Sequence, residues 1–156
     1  MHFHVSLRDK AGRNVFAEDR EGQWRPELLH ALGGMRATMG ESMLVFAPQA
    51  NSWRRFANQS YAPVSPNWGV NNRSVALRIP AGARAARPHE HRPSGVDANP
   101  YLVAATVLAG IRHGFAHRID PKAMAGNARQ PATASPASVA VHNDGDMSWK
   151  CAGVDL

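Results

Sequence analysis

Histidines at positions 2 and 4 and a serine at position 6 alternate with Met1, Phe3, Val5 and Leu7. A period of two is the repeat of a half-buried β-strand, so His2, His4 and Ser6 share one face. Side chains two positions apart on a strand lie ~6.6 Å from each other. Two imidazoles there can converge on a metal ion, or one can ligate while the other meets a group bound beside it. The plain alternative is a pair of exposed histidines on an edge strand. Glu90, between His89 and His91, is the second candidate. The chain has only five glutamates, so few are available as metal ligands. One histidine and Glu90 supply two ligands, whereas Mg²⁺ or Mn²⁺ takes about six, mostly oxygens. Water, phosphate or further protein must supply the others. The third candidate is the set Arg55, Arg73, Arg78 and Arg92, each beside an expected strand or turn. Guanidinium forks suit carboxylate and phosphate, although each arginine taken singly reads as well as a surface ion pair. Arg73 and Arg78 differ in parity. An unbroken strand would point them to opposite faces, so they serve one site only if a bulge or a strand start intervenes.

Composition narrows the field. The chain has 156 residues, 44% of them hydrophobic and 19% charged, which fits about one globular domain. No apolar run approaches the ~20 residues of a membrane helix, and the charged start has no signal-peptide core. A single cysteine, Cys151, excludes an internal disulfide framework and a cysteine zinc cage. A cytoplasmic location is the default expectation. The net charge is +6, with 15 arginines against three lysines. These arginines are scattered and no nucleic-acid recognition motif appears, so neither nucleic acid nor membrane is expected as a partner. No Walker-type phosphate loop and no Gly-x-Ser-x-Gly elbow occurs.

The elements that must position the candidates follow from pattern. Met1–Leu7 reads as a strand. Pro26 opens a helix, with Glu27 favourable in its first turn. The apolar pattern runs on through Met35, Met39 and Met43 to Phe46, and Gly33-Gly34 is expected to break it into two helices. Asn51 looks like the N-cap of a short turn carrying Trp53, Arg54, Arg55 and Phe56. A proline-containing loop, Ala62 to Pro66, leads to a strand over Val75–Ile79. His89–Arg92 reads as extended, with Glu90 and Arg92 on one face. Asp97 is the expected N-cap of a helix from Pro100 to about Phe115, apolar nearly all round and so expected to be buried. From about Arg129 the chain is rich in Pro, Ala, Ser and Thr and reads as irregular or disordered.

Three of these segments resemble one family in order and spacing. Met1-His2-Phe3-His4-Val5-Ser6-Leu7 is similar to the signature strand of the glutamine synthetase catalytic domain. Asn72-Arg73-Ser74-Val75-Ala76-Leu77-Arg78-Ile79-Pro80 resembles its next motif. Glu90-His91-Arg92, followed by Asn99-Pro100-Tyr101-Leu102, resembles a third. The likeness covers roughly Met1 to Asn127, taken as part of a catalytic domain, with 128–156 as a tail unlike the family. Gln59-Ser60-Tyr61-Ala62-Pro63 and Trp68-Gly69-Val70 look closer to the gamma-glutamylpolyamine synthetase branch.

The resemblance implies an α+β fold, with an antiparallel sheet as one wall of the site and helices packed behind. It implies an ATP-dependent ligase that phosphorylates the glutamate side chain and joins it to an amine, using Mg²⁺ or Mn²⁺. By the same resemblance, His2 and Glu90 would hold metal, and His4, Ser6 and Arg78 would contact the nucleotide. Arg55 and Arg92 would hold the carboxylates of glutamate, and Arg73 would act on the transferring phosphoryl group beside Arg55. Family members form ring homo-oligomers. A non-catalytic metal- or nucleotide-binding remnant is the alternative expectation.

Departures from the family pattern sharpen this. Tyr61 stands where ammonia-using members carry a glutamate, which favours a larger amine. Pro88 replaces an arginine that contacts ATP and removes a backbone donor. The family's N-terminal domain and the glutamates of a second metal site are not in this sequence. The expectation is therefore a catalytic-domain fragment with impaired activity.

Overall fold

The computed structural model describes residues 1–17, 23–57, 60–82 and 88–122. Gln59, Cys151 and the tail expected from 128 lie outside the described residues. The elements are β1 (Phe3–Val5), α1 (Pro26–Phe46), a 3₁₀ helix (Ala50–Arg55), β2 (Trp68–Val70), β3 (Leu77–Ile79), β4 (His89–His91) and α2 (Pro100–His117). They form an α+β fold. The sheet order is β1-β4-β3-β2.

β4 is flanked antiparallel by β1 and β3, as expected, but β2 and β3 run parallel. The reason lies in the connection. Asn71 adopts a left-handed φ of 50°. The Asn72 side chain accepts from the Ser74 amide at 2.8 Å, and the Asn67 side chain accepts from the Ala76 amide at 3.1 Å. This doubles the chain back, so that β3 starts beside the start of β2. The expected strand over Val75–Ile79 therefore begins only at Leu77, and β2 was not anticipated as a strand.

The period-two pattern of the first segment holds: Met1, Phe3, Val5 and Leu7 are partly buried, and His2, His4 and Ser6 are exposed. On β4 the alternation separates Glu90 from its neighbours. His89 meets Phe16 edge-on at 5.5 Å and His91 lies against Phe46 of α1 at 4.4 Å. These two histidines belong to the apolar core, with Leu28, Leu32, Met35, Met39, Leu77 and Ile79.

α1 is one continuous helix through Gly33 and Gly34, against the expected break. These glycines are packing positions. A Cβ at Gly34 would overlap the Gly110 carbonyl oxygen and the Gly114 backbone, and one at Gly33 would overlap the Ile119 carbonyl oxygen. Backbone meets backbone where α1 crosses α2, and that contact outweighs the helix cost of glycine, about 1 kcal/mol each. α2 is buried along one face only, through Val103, Val107, Gly110, Ile111 and Gly114. Tyr101 is 84% and Leu108 50% exposed, so the expectation of all-round burial fails. Among the described residues, only α1 packs extensively on this helix. Its N-cap is Asn99, whose side chain accepts from the Tyr101 and Leu102 amides, rather than Asp97. The 3₁₀ helix is capped by Gln49 rather than Asn51. No helix among the described residues is long and apolar enough to cross a membrane.

Gly114→Ala should cost about 3 kcal/mol, because its methyl would strike the His30 carbonyl oxygen and Gly34. Urea unfolding measures this, and a loss below about 0.5 kcal/mol would contradict the crossing. The core histidines generate a pH dependence. Burial pushes His89 from 6.5 down to about 4 and His91 down to about 3, so both stay neutral when folded. An unfolded chain protonates them near pH 6.5 and then holds about two more protons than the folded one. Stability should fall as pH drops from about 6.5 to 4, with a limiting slope of about 2.7 kcal/mol per pH unit. His89→Leu should roughly halve that slope in urea titrations; an unchanged slope would place the titration elsewhere.

Candidate active site

The sheet register lines up one row of side chains. His4 of β1 pairs with Glu90 of β4, and Glu90 pairs with Arg78 of β3. Strand alternation turns all three to the face opposite His89 and His91. Glu90 is the centre, with its side chain only 3% exposed. Its Oε1 lies 2.9 Å from His2 Nδ1 and 4.0 Å from His4 Nε2. Oε1 also accepts from Arg92 Nη1 at 3.2 Å, while Oε2 accepts from Arg78 Nη1 at 2.8 Å. Burial works to raise the Glu90 carboxyl. The Arg78 hydrogen bond and the charges of Arg92 and Arg78 outweigh it and hold the group below its ordinary value. The carboxylate is therefore ionised. Burial, then the charge of Arg92, lowers His2, which leaves its ring neutral and able to donate a lone pair.

Arg92 ties the site to its surroundings. Its Nη2 donates to the carbonyls of Arg73 at 2.7 Å and Tyr61 at 3.1 Å. Tyr61 has a left-handed φ of 57° and an exposed ring. Arg73 sits exposed in the turn before β3, so the parity conflict with Arg78 is resolved by a strand start. Arg55 closes the 3₁₀ helix. Its Nη1 donates to the Pro93 carbonyl and its Nη2 to the Arg92 carbonyl at 3.4 Å. Its guanidinium stacks over Phe56 at 4.8 Å. Ser6 lies on the same exposed side as His2 and His4, beyond the end of β1.

The geometry thus brings His2, His4, Glu90, Arg78 and Arg92 into one cluster and hangs Arg73 and Arg55 on its rim. Sequence reasoning missed Asn71, whose Oδ1 accepts from Arg78 Nη2 at 2.9 Å. It also missed that Asp97 accepts from the Ser52 hydroxyl, joining the loop before α2 to the 3₁₀ helix that carries Arg55. The turn-prone Asn71-Asn72 pair was the available signal for the first.

Two guanidiniums meet one carboxylate here, with Arg55 and Arg73 nearby, and Arg78 Nε and Arg92 Nε are buried with no acceptor among the described residues. Such a surplus suits a polyanionic ligand. For a divalent metal, Glu90 and His2 present one oxygen and one nitrogen side by side. Each carboxylate oxygen has about two lone-pair directions; Oε1 already meets Arg92 and His2, so Oε2, beside Arg78, is the oxygen with room for a cation. Among the described residues no group of three or more such ligands forms a cage, so these two fit one edge of a coordination sphere.

The profile of the glutamine synthetase catalytic domain matches residues 1–140. The chain belongs to the glutamine synthetase family. Over 115 residues it is 49% identical to gamma-glutamylputrescine synthetase of Escherichia coli, covering 74% of this chain and 24% of that protein. It is 40% identical over 128 residues to gamma-glutamylethanolamide synthetase of Streptomyces coelicolor, covering 81% of this chain and 27% of that one. A solved ligand-free GmaS structure superposes with a TM-score of 0.69 at 31% identity, covering 80% of this chain and 28% of the other. The chain thus spans about a quarter of the length of these relatives. For this part of a glutamine synthetase catalytic domain, the fold and the family agree with the sequence expectation.

Glu90→Gln leaves Arg78 and Arg92 buried without their shared counter-charge, and should destabilise the fold by about 3–5 kcal/mol. Urea unfolding at pH 7 checks this. A change within about 0.5 kcal/mol would mean that the cations are already solvated.

Proposed function

We propose that this chain forms the phosphate- and carboxylate-holding wall of an ATP-dependent ligase that joins the glutamate side-chain carboxylate to an amine. The surplus of guanidinium around Glu90 carries the reading, and membership of the glutamine synthetase family supports it. In the proposed reaction a γ-carboxylate oxygen of glutamate attacks the γ-phosphorus of ATP. The bond to the bridging oxygen breaks and ADP leaves with its electron pair, giving γ-glutamyl phosphate. The amine then attacks the acyl carbon, phosphate departs, and the nitrogen loses a proton as the amide forms.

Phosphoryl transfer demands positioning and neutralisation of spread negative charge more than covalent catalysis. Arg78, with His4 and Ser6 beside it on the sheet face, holds the nucleotide phosphates. Arg73, exposed at the rim, reaches the transferring phosphoryl group. Arg55 and Arg92 orient the carboxylates of glutamate. Arg92 has its Nη2 donors committed to Tyr61 and Arg73 and its Nη1 to Glu90, so it acts through its charge. His2 and Glu90 hold Mg²⁺ or Mn²⁺, which supplies further neutralisation of phosphate charge when bound. Tyr61, with its ring exposed next to Arg92, offers no carboxylate to an ammonium ion. A larger amine fits this better, and the relatives named for putrescine and ethanolamide agree with it. Within this reading the chain works in the cytoplasm, in a ring homo-oligomer, and is impaired by itself, its metal site having two protein donors among the described residues.

Calorimetry with ATP and Mn²⁺ should show binding by the purified chain, weakened at least about tenfold by Arg78→Ala. A coupled ADP-release assay with glutamate should show low turnover, greater with putrescine than with ammonium. Arg73→Ala should reduce that turnover by about 10²–10³. Absence of ATP binding would sink the proposal, and binding without any turnover would favour a non-catalytic remnant.

A further inference from the structure

Away from the sheet, α1 and α2 leave an open groove of about 440 Å³. Thr38 and Ser42 line it from α1, and Thr106, Arg112, His113 and His117 from α2. His113 and His117 are one helical turn apart and both exposed. Their rings already adjoin, with centroids 4.6 Å apart and planes tilted by 55°. The geometry points to a second metal site here, in which this pair chelates a divalent transition ion such as Zn²⁺, Ni²⁺ or Cu²⁺.

Three observations carry it. Imidazoles at i and i+4 project from one helix face, and imidazole prefers these ions to Mg²⁺ or Ca²⁺. α2 ends at His117, so the pair occupies the last turn, where the negative end of the helix dipole favours a cation. The groove hydroxyls are also turned the right way. Thr38 Oγ1 donates to the Gly34 carbonyl at 3.0 Å and Ser42 Oγ to the Thr38 carbonyl at 2.7 Å. With their hydrogens spent on the helix, both present lone pairs to the groove, which suits an ion and its waters better than an anion. Arg112 opposes the ion, but it is exposed and its charge is screened by solvent and salt. Two nitrogens leave the remaining coordination positions to water, unlike the oxygen-rich demand at Glu90.

The test separates this pair from the two exposed histidines of β1 and its approach. In a His2→Asn/His4→Asn background, calorimetric titration of the metal-free chain with Zn²⁺ should show one site. His113→Asn or His117→Asn should weaken it at least about tenfold, with unfolding in the absence of metal unchanged. Cu²⁺ electron paramagnetic resonance should report two nitrogen ligands in that background and fewer in either variant. No Zn²⁺ binding in the background, or binding undiminished when both residues are replaced, would overturn the inference.

Discussion

The face that carries the candidate site depends on one buried carboxylate. Glu90 receives Arg78 from β3, Arg92 from just beyond its own strand and His2 from the start of β1. Taking a carboxylate and two guanidiniums out of water costs several kcal/mol per ion, and only direct hydrogen bonds offset it. Each partner is therefore tightly constrained in place. That constraint spreads outward: Arg92, held by Glu90, fixes the carbonyls of Tyr61 and Arg73, and Arg78 fixes the Asn71 side chain. Two loops with left-handed residues, at Tyr61 and Asn71, are thus tied to one anion.

The opposite side of the sheet answers a different demand. His89 and His91 alternate with Glu90 and are buried against Phe16 and Phe46. One three-residue strand therefore presents a charge on one side and two neutral rings on the other. Behind Phe46 the glycine-mediated crossing of α1 and α2 sets where α2 starts. Asn99 caps that start, and the loop before it supplies the Pro93 carbonyl that holds Arg55. Helix packing and site geometry are joined through that short loop.

This division explains what was legible in the sequence. Period-two alternation around His2 and His4 is a local signal, and the structure keeps it. The pairing of Glu90 with Arg92 follows from the same parity. The break expected at Gly33-Gly34 failed because the reason for those glycines lies on α2 and the residues just after it, some 80 positions away. The cap at Asp97 failed likewise, because that carboxylate is used by Ser52 across the fold. β2 was missed because its three residues, centred on Gly69, lie between the loop prolines and the Asn71-Asn72 turn, so no alternation extends beyond them. The Arg73–Arg78 parity conflict is resolved by a strand start, a tertiary choice made by Asn67, Asn71 and Asn72.

The balance of charge decides how the two roles of the arginines coexist. Arg78 and Arg92 are each held by Glu90, yet each keeps a buried Nε hydrogen without an acceptor among the described residues. A guanidinium wholly consumed by internal bonds could only support the fold. One with a spare, preoriented donor costs stability while empty and can recover that cost when an anion arrives. Arg55 and Arg73 add charge at the rim, where Asp97 offsets part of that of Arg55. With a second buried carboxylate on this face, the arginines would neutralise one another's partners and the ligand would gain little. Keeping a single anion at the centre leaves positive potential directed outward, preorganised before any ligand is bound.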